Sequence, residues 1–446
     1  MLDLAALVLA VTFPAYGTPV PQAVVTQPIP GVPSEINLSQ AVAVAAVTSP
    51  TLSAARAVYE LAALNVNQAE TGYQPNLSVQ GVYASGNAST GAYGGAVEKT
   101  ALLNLQQLVY NGGRVIAQIR GARAGAMGAK RTYQRQLQTL TYNVAQAYYD
   151  ELQAEGQFRL QLEIVDQDLA QERLISAQIS AGTAAPVDLE TAEIPTAQAR
   201  VAVVRAQGSA LAAAAAFAAV LGLPANAEVQ PIGDNATLSE TALPPKTPLD
   251  YSVAAQQALS MRPDYRAAID QVDSLSESVR AFRLQRAPAL SLVAQGGYEG
   301  FGSVASPLAP VDSIGAAVTL PVFDQNLTNV QVAQAAAQLD QAKAQTSATQ
   351  VTVFSDVRQS LVQLVAAQAA LDQSAIELAK ARDVLKATQL QYRAGQTSLP
   401  LLLNAQTQLA TAENDHLVSL YALRQAEQTY LYALGENDVA LAGFGK

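Results

Sequence analysis

The sequence predicts a mainly α protein with a small membrane-spanning β part, built from a duplicated unit in which a long coiled-coil helical hairpin accompanies two strands. Three observations predict it. First, Pro75-Asn-Leu-Ser-Val recurs as Pro288-Ala-Leu-Ser-Leu 213 residues later. The same offset carries Ser49-Pro50 onto Arg262-Pro263, Val109-Tyr110-Asn111 onto Val322-Phe323-Asp324, Ala181-Gly182 onto Ala394-Gly395 and Leu221-Gly222 onto Leu434-Gly435, with no insertion or deletion. Second, apolar residues in each copy run at alternating steps of three and four, the pattern of a coiled-coil seam. Third, the 446 residues are 50% hydrophobic but only 14% charged, against about 25% charged in an average soluble domain, so part of the surface meets something other than open water.

Composition also removes whole classes of function. A net charge of -10 lacks the basic footprint of a nucleic-acid binder. With no cysteine there is no disulfide, no thiolate metal site, no cysteine nucleophile and no lipidation on cysteine. His416 is the one histidine and leaves no histidine pair for a metal, and no cofactor is expected. No run reaches the roughly 18 continuous apolar residues of a spanning helix; the longest candidate, Ala210 to Leu223, is short and mostly alanine.

Along the chain, Leu4 to Phe13 is a brief apolar run followed by Pro14, Ala15, Tyr16 and Gly17, small residues of the kind found at a signal-peptidase site. Residues 1–17 are read as a signal segment, the alternative being a frayed extension, and the mature chain is expected to begin near Thr18. Residues 18–36, Pro-rich from Thr18 to Ser34, read as an extended strap. Repeat 1 spans 37–222, a Pro-rich linker 223–249, repeat 2 spans 250–435, and 436–446 form a tail.

Pro75 and Pro288 close shorter leading helices, and the period then changes from 3.6 to 2. Leu77, Val79, Gly81 and Tyr83 alternate with Ser78 and Gln80; a small-residue loop (Ala84 to Gly95) leads to Ala101, Leu103, Leu105, Gln107 and Val109 on one face. The second copy repeats this with Leu290, Leu292 and Ala294, a loop near Gly300 to Asp312, and Ile314, Ala316, Val318, Leu320 and Val322. Strands of about 10 residues suit a tilted membrane crossing, and Tyr110 and Phe323 at the strand ends suit an aromatic girdle at the lipid interface. A soluble hairpin packed on the helices is the alternative.

After the strands, one seam runs through Phe354, Val357, Leu361, Leu364, Gln368, Leu371, Ala375, Leu378, Arg382, Leu385 and Gln389, kept less cleanly in the first copy by Val144, Tyr148, Phe158, Leu162, Val165 and Leu169. Beyond the glycine turns, returning seams run from Leu402 to Ala433 and from Leu189 to Val220. Four strands cannot close a barrel, and lipid tolerates no open sheet edge. Two chains would give eight strands, whose interior fills with side chains, so an open conduit needs at least three chains and twelve strands.

With these features together, the chain resembles the outer membrane efflux protein (TolC-like outer membrane factor) family. The resemblance is carried by the duplication, the Ser-Pro and Arg-Pro helix starts, the Pro-x-Leu-Ser strand starts, the Val-Tyr-Asn and Val-Phe-Asp strand exits, and Tyr392-Arg-Ala-Gly-Gln-Thr-Ser-Leu-Pro-Leu-Leu-Leu-Asn-Ala-Gln406. It covers Ile36 to Gly435 and implies a homotrimer: a 12-stranded β-barrel in outer-membrane lipid, continued by a 12-helix α-barrel across the periplasm. It also implies a passive exit duct, not an enzyme, for a tripartite efflux pump or a type I secretion system, partnered by an inner-membrane transporter and a periplasmic adaptor. Many relatives carry an N-terminal lipid-bearing cysteine that this chain lacks. A soluble coiled-coil scaffold is the reading of another class.

By family position, Asp188 matches an aspartate at the first-copy tip that narrows the entrance, with Glu190 beside it, whereas Leu401 and Asn404 stand where relatives can carry aspartates. Asp188, Glu190 and Glu193 equally suit a helix N-terminus as acidic residues. Gln171 and Tyr392 match a pair that links the hairpins in a relative's closed state; their plain readings are a solvated amide and a seam-flanking aromatic. Gly182 and Gly395 sit where a helix turns and needs a permissive backbone, Ser398 is placed to cap the returning helix with Pro400 in its first turn, and all three are adaptor-docking positions by family analogy. His416 reads as a packed histidine. Gly94-Gly-Ala-Val-Glu-Lys-Thr100 lacks the Gly-Lys pair of a phosphate loop.

Overall fold

A run of two parallel tiers of helices below one sheet follows directly from the duplicated pattern. The computed structural model describes residues 35–86, 96–224, 227, 229–233, 250–302 and 304–436; the expected signal segment, most of the strap, most of the first-copy strand loop, much of the linker and most of the tail lie outside them. In repeat 1 a short strand β1 (Glu35–Ile36) precedes helices α1 (Leu38–Thr48) and α2 (Pro50–Glu70), strands β2 (Asn76–Gly86) and β3 (Ala96–Tyr110), and helices α3 (Arg114–Ser180) and α4 (Pro186–Val220). A second short strand, β4 (Gln230–Pro231), pairs parallel with β1. Repeat 2 supplies α5 (Tyr251–Met261), α6 (Pro263–Arg283), β5 (Ala289–Gly302), β6 (Ala309–Thr319), α7 (Leu327–Arg393) and α8 (Leu399–Leu434).

Local chemistry sets these boundaries. Asn37 caps α1 in a capping box with Gln40, and Ser49 caps α2, with Pro50 in its first turn. At the place equivalent to Ser49, repeat 2 has the buried Arg262, whose guanidinium pairs with Asp356 at 2.8 Å and Asp264 at 2.6 Å. Nearby, Arg135 of α3 stacks over the Tyr432 ring at 3.8 Å and donates to the Tyr432 carbonyl at the end of α8. The two repeats thus share a backbone and differ in the chemistry of their junctions.

α3 and α7 each hold 67 residues, about 100 Å at about 1.5 Å per residue. The shorter helices are stacked beside them, α2 above α4 and α6 above α8. Neighbours run α2, α3, α6, α7 in the upper tier and α4, α3, α8, α7 in the lower one. α3 and α6 approach closely because Gly121 has no side chain: a Cβ there would stand 3.2 Å from the Ser274 carbonyl oxygen, and the Ser274 hydroxyl donates to the Gly121 carbonyl at 2.8 Å.

The expected seams are largely the buried ones. Val357, Leu361, Leu364, Leu371, Leu378 and Leu385 of α7 meet Leu402, Ala405, Leu409, Ala412, Leu423 and Ala426 of α8. Two members depart from that pattern: Arg382 is exposed and reaches Glu413 of α8 at 3.5 Å, and Leu162 is 42% exposed. α4, expected to be too short for a membrane span, is long and apolar enough to pass as one. The reason is that its apolar residues lie on two opposite sides. Ala192, Thr196, Ala199 and Phe217 face α3, while Val187, Ile194, Val201, Val204 and Leu211 are exposed.

Candidate pore-forming surfaces

The four long strands form one antiparallel sheet in the order β2, β3, β5, β6. Its register sorts side chains by face, because residues directly opposite point the same way. One row reads Leu77, Leu105, Ala294, Ile314; the next reads Ser78, Asn104, Gln295, Ser313. One face is therefore mainly apolar, with Asp312 in the row of Val79 and Leu103, and the other mainly polar, with Leu102, Val293 and Val311 among its polar residues, the arrangement of a wall between lipid and water. Val79 and Ile314 on the apolar face are 80% and 88% exposed in the single chain, so none of the described residues covers them.

The strand ends depart from expectation in three places. A bulge at Val109 interrupts β3, so Tyr110, not Val109, lies opposite Leu290 and joins the apolar face. β6 stops at Thr319, short of Val322, because Pro321 has no N–H to offer a ladder; Phe323 therefore stands beyond the strand, 84% exposed. The β5–β6 connection spans only residues 303–308, since Gly300 and Asp312 are both inside strands. Sequence reasoning missed the opposite girdle. Tyr83 and Tyr298 stand exposed at the far end of the apolar face, and Tyr83 faces Lys99 across the sheet. From Tyr110 to that row is about ten strand steps of about 3.4 Å, which a tilt of about 40° reduces to about 26 Å, close to the apolar band of an outer-membrane barrel.

Among the described residues every tier is open at both sides. β2, α2 and α4 form one edge and β6 and α7 the other. An unpaired strand edge cannot face hydrocarbon, and both lower edge helices carry exposed apolar residues: Val187, Ile194 and Val201 on α4, Val362, Ile376 and Leu390 on α7. The protomer has the architecture of one sector of a tube.

At the far end from the sheet, the two hairpin turns are built alike. Gly182 and Gly395 adopt left-handed φ values of 72° and 70°. Each is followed by the same helix-closing bond, Thr183 N–H to the Gln178 carbonyl and Gln396 N–H to the Gln391 carbonyl. The return helices start differently. The Asp188 carboxylate accepts the Ala185 N–H at 3.0 Å, half of a capping box that uses its charge at the α4 N-terminus. Leu401 takes the equivalent place in α8 and is 52% exposed. Ser398 holds the N-cap position, but contrary to expectation its hydroxyl makes no cap bond; its carbonyl accepts the Leu401 N–H. Glu190 and Asn404 are exposed.

The hairpins are joined near these tips. Leu399 of the second hairpin is buried with Ile175 and Ala192 of the first, against Tyr392, Leu189 and Ile179. The Tyr392 hydroxyl donates to Gln178 Oε1 at 3.2 Å. The expected partner, Gln171, lies one heptad higher on α3 and its buried Nε2 meets no acceptor. Heptad spacing puts both glutamines on the same side of α3, so sequence pattern could not choose between them. Burial and the Asp188 carboxylate push the Tyr392 hydroxyl pKa up, which keeps it a donor.

Higher up, Glu151 of α3 is buried, and burial followed by repulsion from Glu155 pushes its carboxyl up to about 7. Among the described residues no group of histidine, cysteine and acidic side chains could hold a metal ion.

Comparison with known proteins gives one coherent result. The family model described as outer membrane efflux protein matches residues 42–223 and 254–436. No curated protein sequence matches. Among solved structures, the CmeC outer membrane channel of Campylobacter jejuni superposes with a TM-score of 0.76 at 18% identity, covering 90% of this chain and 86% of that one. The outer membrane protein VceC of Vibrio cholerae gives 0.74 at 19%, covering 89% and 96%. The open state of the MtrE outer membrane channel of Neisseria gonorrhoeae gives 0.73 at 18%, covering 90% and 89%.

Proposed function

Because the chain belongs to the outer membrane efflux protein family, we propose that three copies form the exit duct of a tripartite efflux pump, passing drugs or other small toxic compounds from the periplasm to the exterior. The duct does no catalysis: an inner-membrane transporter supplies the energy and a periplasmic adaptor docks at the hairpin tips around Gly182, Gly395 and Ser398. The observation that carries the reading is the coincidence of open edges in all tiers with a sheet that is mainly apolar on one face and mainly polar on the other. Three four-stranded sheets supply twelve strands, the apolar face meets lipid, and the polar face lines water.

In this reading Leu401 forms an apolar ring at the entrance and Glu190 and Asp188 supply negative charge beside it, while Tyr110, Tyr83 and Tyr298 mark the lipid interfaces. Such a ring can gate by dewetting, and an acidic ring favours cations. Deleting the gene should raise intracellular accumulation of a fluorescent efflux dye and sensitise cells to it, and the chain should fractionate with outer membranes in detergent-free extracts. Unchanged dye efflux together with loss of a secreted protein would instead assign the duct to type I secretion. Recovery in the soluble fraction would make it a scaffold.

A further inference from the structure

The duplication makes the lateral contact inside the chain a template for the contact between chains. Within the protomer, α3 of repeat 1 packs on α8 of repeat 2, and three contacts fix the register. Gln157 Nε2 donates to Asn414 Oδ1 at 3.1 Å, Gln425 Nε2 donates to Asp150 Oδ1 at 2.6 Å, and a Cβ on Gly156 would meet Leu417 Cδ2 at 3.2 Å. The repeat carries α3 forward onto α7 and α8 back onto α4 by the same number of residues. Those are the two edge helices of the lower tier.

Carried across, Gly156 becomes Ala369 and Leu417 becomes Val204; Gln157 becomes Ala370 and Asn414 becomes Val201. Two of the three contacts thus become apolar at the edges, where Val201 and Val204 are 52% and 69% exposed, and the third, Asp150 with Gln425, becomes Gln363 with Ala212. The flanking position is charged in both. Arg159 on α3 and Glu413 on α8 map onto Asp372 on α7 and Arg200 on α4, the same two signs in reversed order. Inside the chain Arg159 pairs with Glu155 and Glu413 with Arg382, so the edge pair is read from the opposite signs at the two flanking positions. On α4 the exposed stripe of Val187, Ile194 and Val201 repeats every seven residues with Arg200 immediately beside it, the placement of a seam with a charged flank.

We propose that α4 of one chain packs against α7 of the next in this inherited register. Val204 then lies on the partner subunit's Ala369, Val201 on the partner subunit's Ala370, and Arg200 pairs with the partner subunit's Asp372. The inference rests on the assembly of copies proposed above and adds to it which residues meet. A register error of one heptad would set Arg200 against alanine, the partner subunit's Ala379, instead of a carboxylate, so the pair sets the axial position of neighbouring helices.

The chain has no cysteine, which makes thiol cross-linking clean. Val204→Cys combined with Ala369→Cys, treated with a short thiol–thiol cross-linker in native membranes, should give covalent trimers on a denaturing gel, and neither single variant should. Val204→Cys combined with Ile376→Cys, displaced by one heptad, should stay uncross-linked. Arg200→Asp and Asp372→Arg should each lower the temperature at which detergent-solubilised trimers dissociate, and the double exchange should restore most of the loss. Trimers by native mass with no link at 204–369, or with a link at 204–376 instead, overturn this register and leave the duct reading intact. Absence of any trimer overturns both.

Discussion

Tyr392 at the lower end of α7 donates its hydroxyl hydrogen to Gln178 of α3 across 3.2 Å, tying the second hairpin to the first near their tips. The bond is partly buried and lies beside the cluster of Leu399, Ile175 and Ala192. A neutral hydrogen bond of this kind contributes about 0.5–1.5 kcal/mol, enough to bias a hairpin between two positions without locking it.

Tyr392→Phe keeps the ring in the cluster and removes only the donor. It should raise single-channel conductance in planar bilayers, and Gln178→Leu should do the same. Gln171→Ala, one heptad away, should have the smaller effect. Conductance that responds to Gln171 and ignores Gln178 would place the link where family position puts it.

Glu190→Gln should lower cation preference with little change in conductance, because the side chain is exposed. Asp188→Asn should lower it too, and in addition weaken the start of α4, since the amide oxygen can still accept the Ala185 N–H but the charge that favours a helix N-terminus, worth about 0.3–1 kcal/mol, is gone. Reversal potentials in asymmetric salt and thermal melts of each variant separate the two roles. Leu401→Ser should raise conductance by making the ring wettable.

Much of the helical part was legible in sequence, and the reason is physical. The duplication and the seam from Val357 to Leu385 are properties of spacing along one helix, which local periodicity reports. The bulge at Val109 and the end of β6 before Pro321 were not read, because which residue opposes which is fixed between strands. Tyr83 was read only as one of an alternating series; its place on the girdle appeared once β2 was paired with β3. The second apolar stripe of α4, Val187, Ile194 and Val201, was present in the sequence as a seven-residue step, hidden by the alanine seam on its opposite side. At the tips, the plain reading of Asp188 as a residue of the helix start is the one its bond to Ala185 supports, and its place at the entrance belongs to the proposed function.

Opposite faces of one strand should respond oppositely to charge. Leu103 lies on the apolar face and Asn104 on the polar one, in adjacent rows of β3. Leu103→Arg should cost about 2–4 kcal/mol if it sits near mid-bilayer, read as a shift in the urea midpoint of folding into lipid vesicles. Asn104→Arg should leave that midpoint nearly unchanged and alter ion selectivity. Equal effects of the two would remove the lipid-facing assignment.

The periplasmic helices should carry a pH signature. Glu151 is held up to about 7 by burial and by Glu155, above the usual carboxyl value near 4.5, so the folded protein binds a proton there that the unfolded chain releases. The stabilisation is present at low pH and is lost as pH rises from about 4.5 to about 7. Thermal midpoints should fall across that window, and Glu151→Gln should flatten the fall. A wild-type profile already flat there, or one that Glu151→Gln leaves unchanged, would show that this carboxyl is not the source.

The central claim is that one chain is a sector of a tube and is complete only with its neighbours. Native mass spectrometry of protein extracted from outer membranes tests it most directly. The account predicts a single species of three times the chain mass, losing its strand signal by infrared spectroscopy when the trimers are dissociated. A stable monomer that keeps the full strand signal would contradict it, because four strands with two open edges would then be sufficient by themselves.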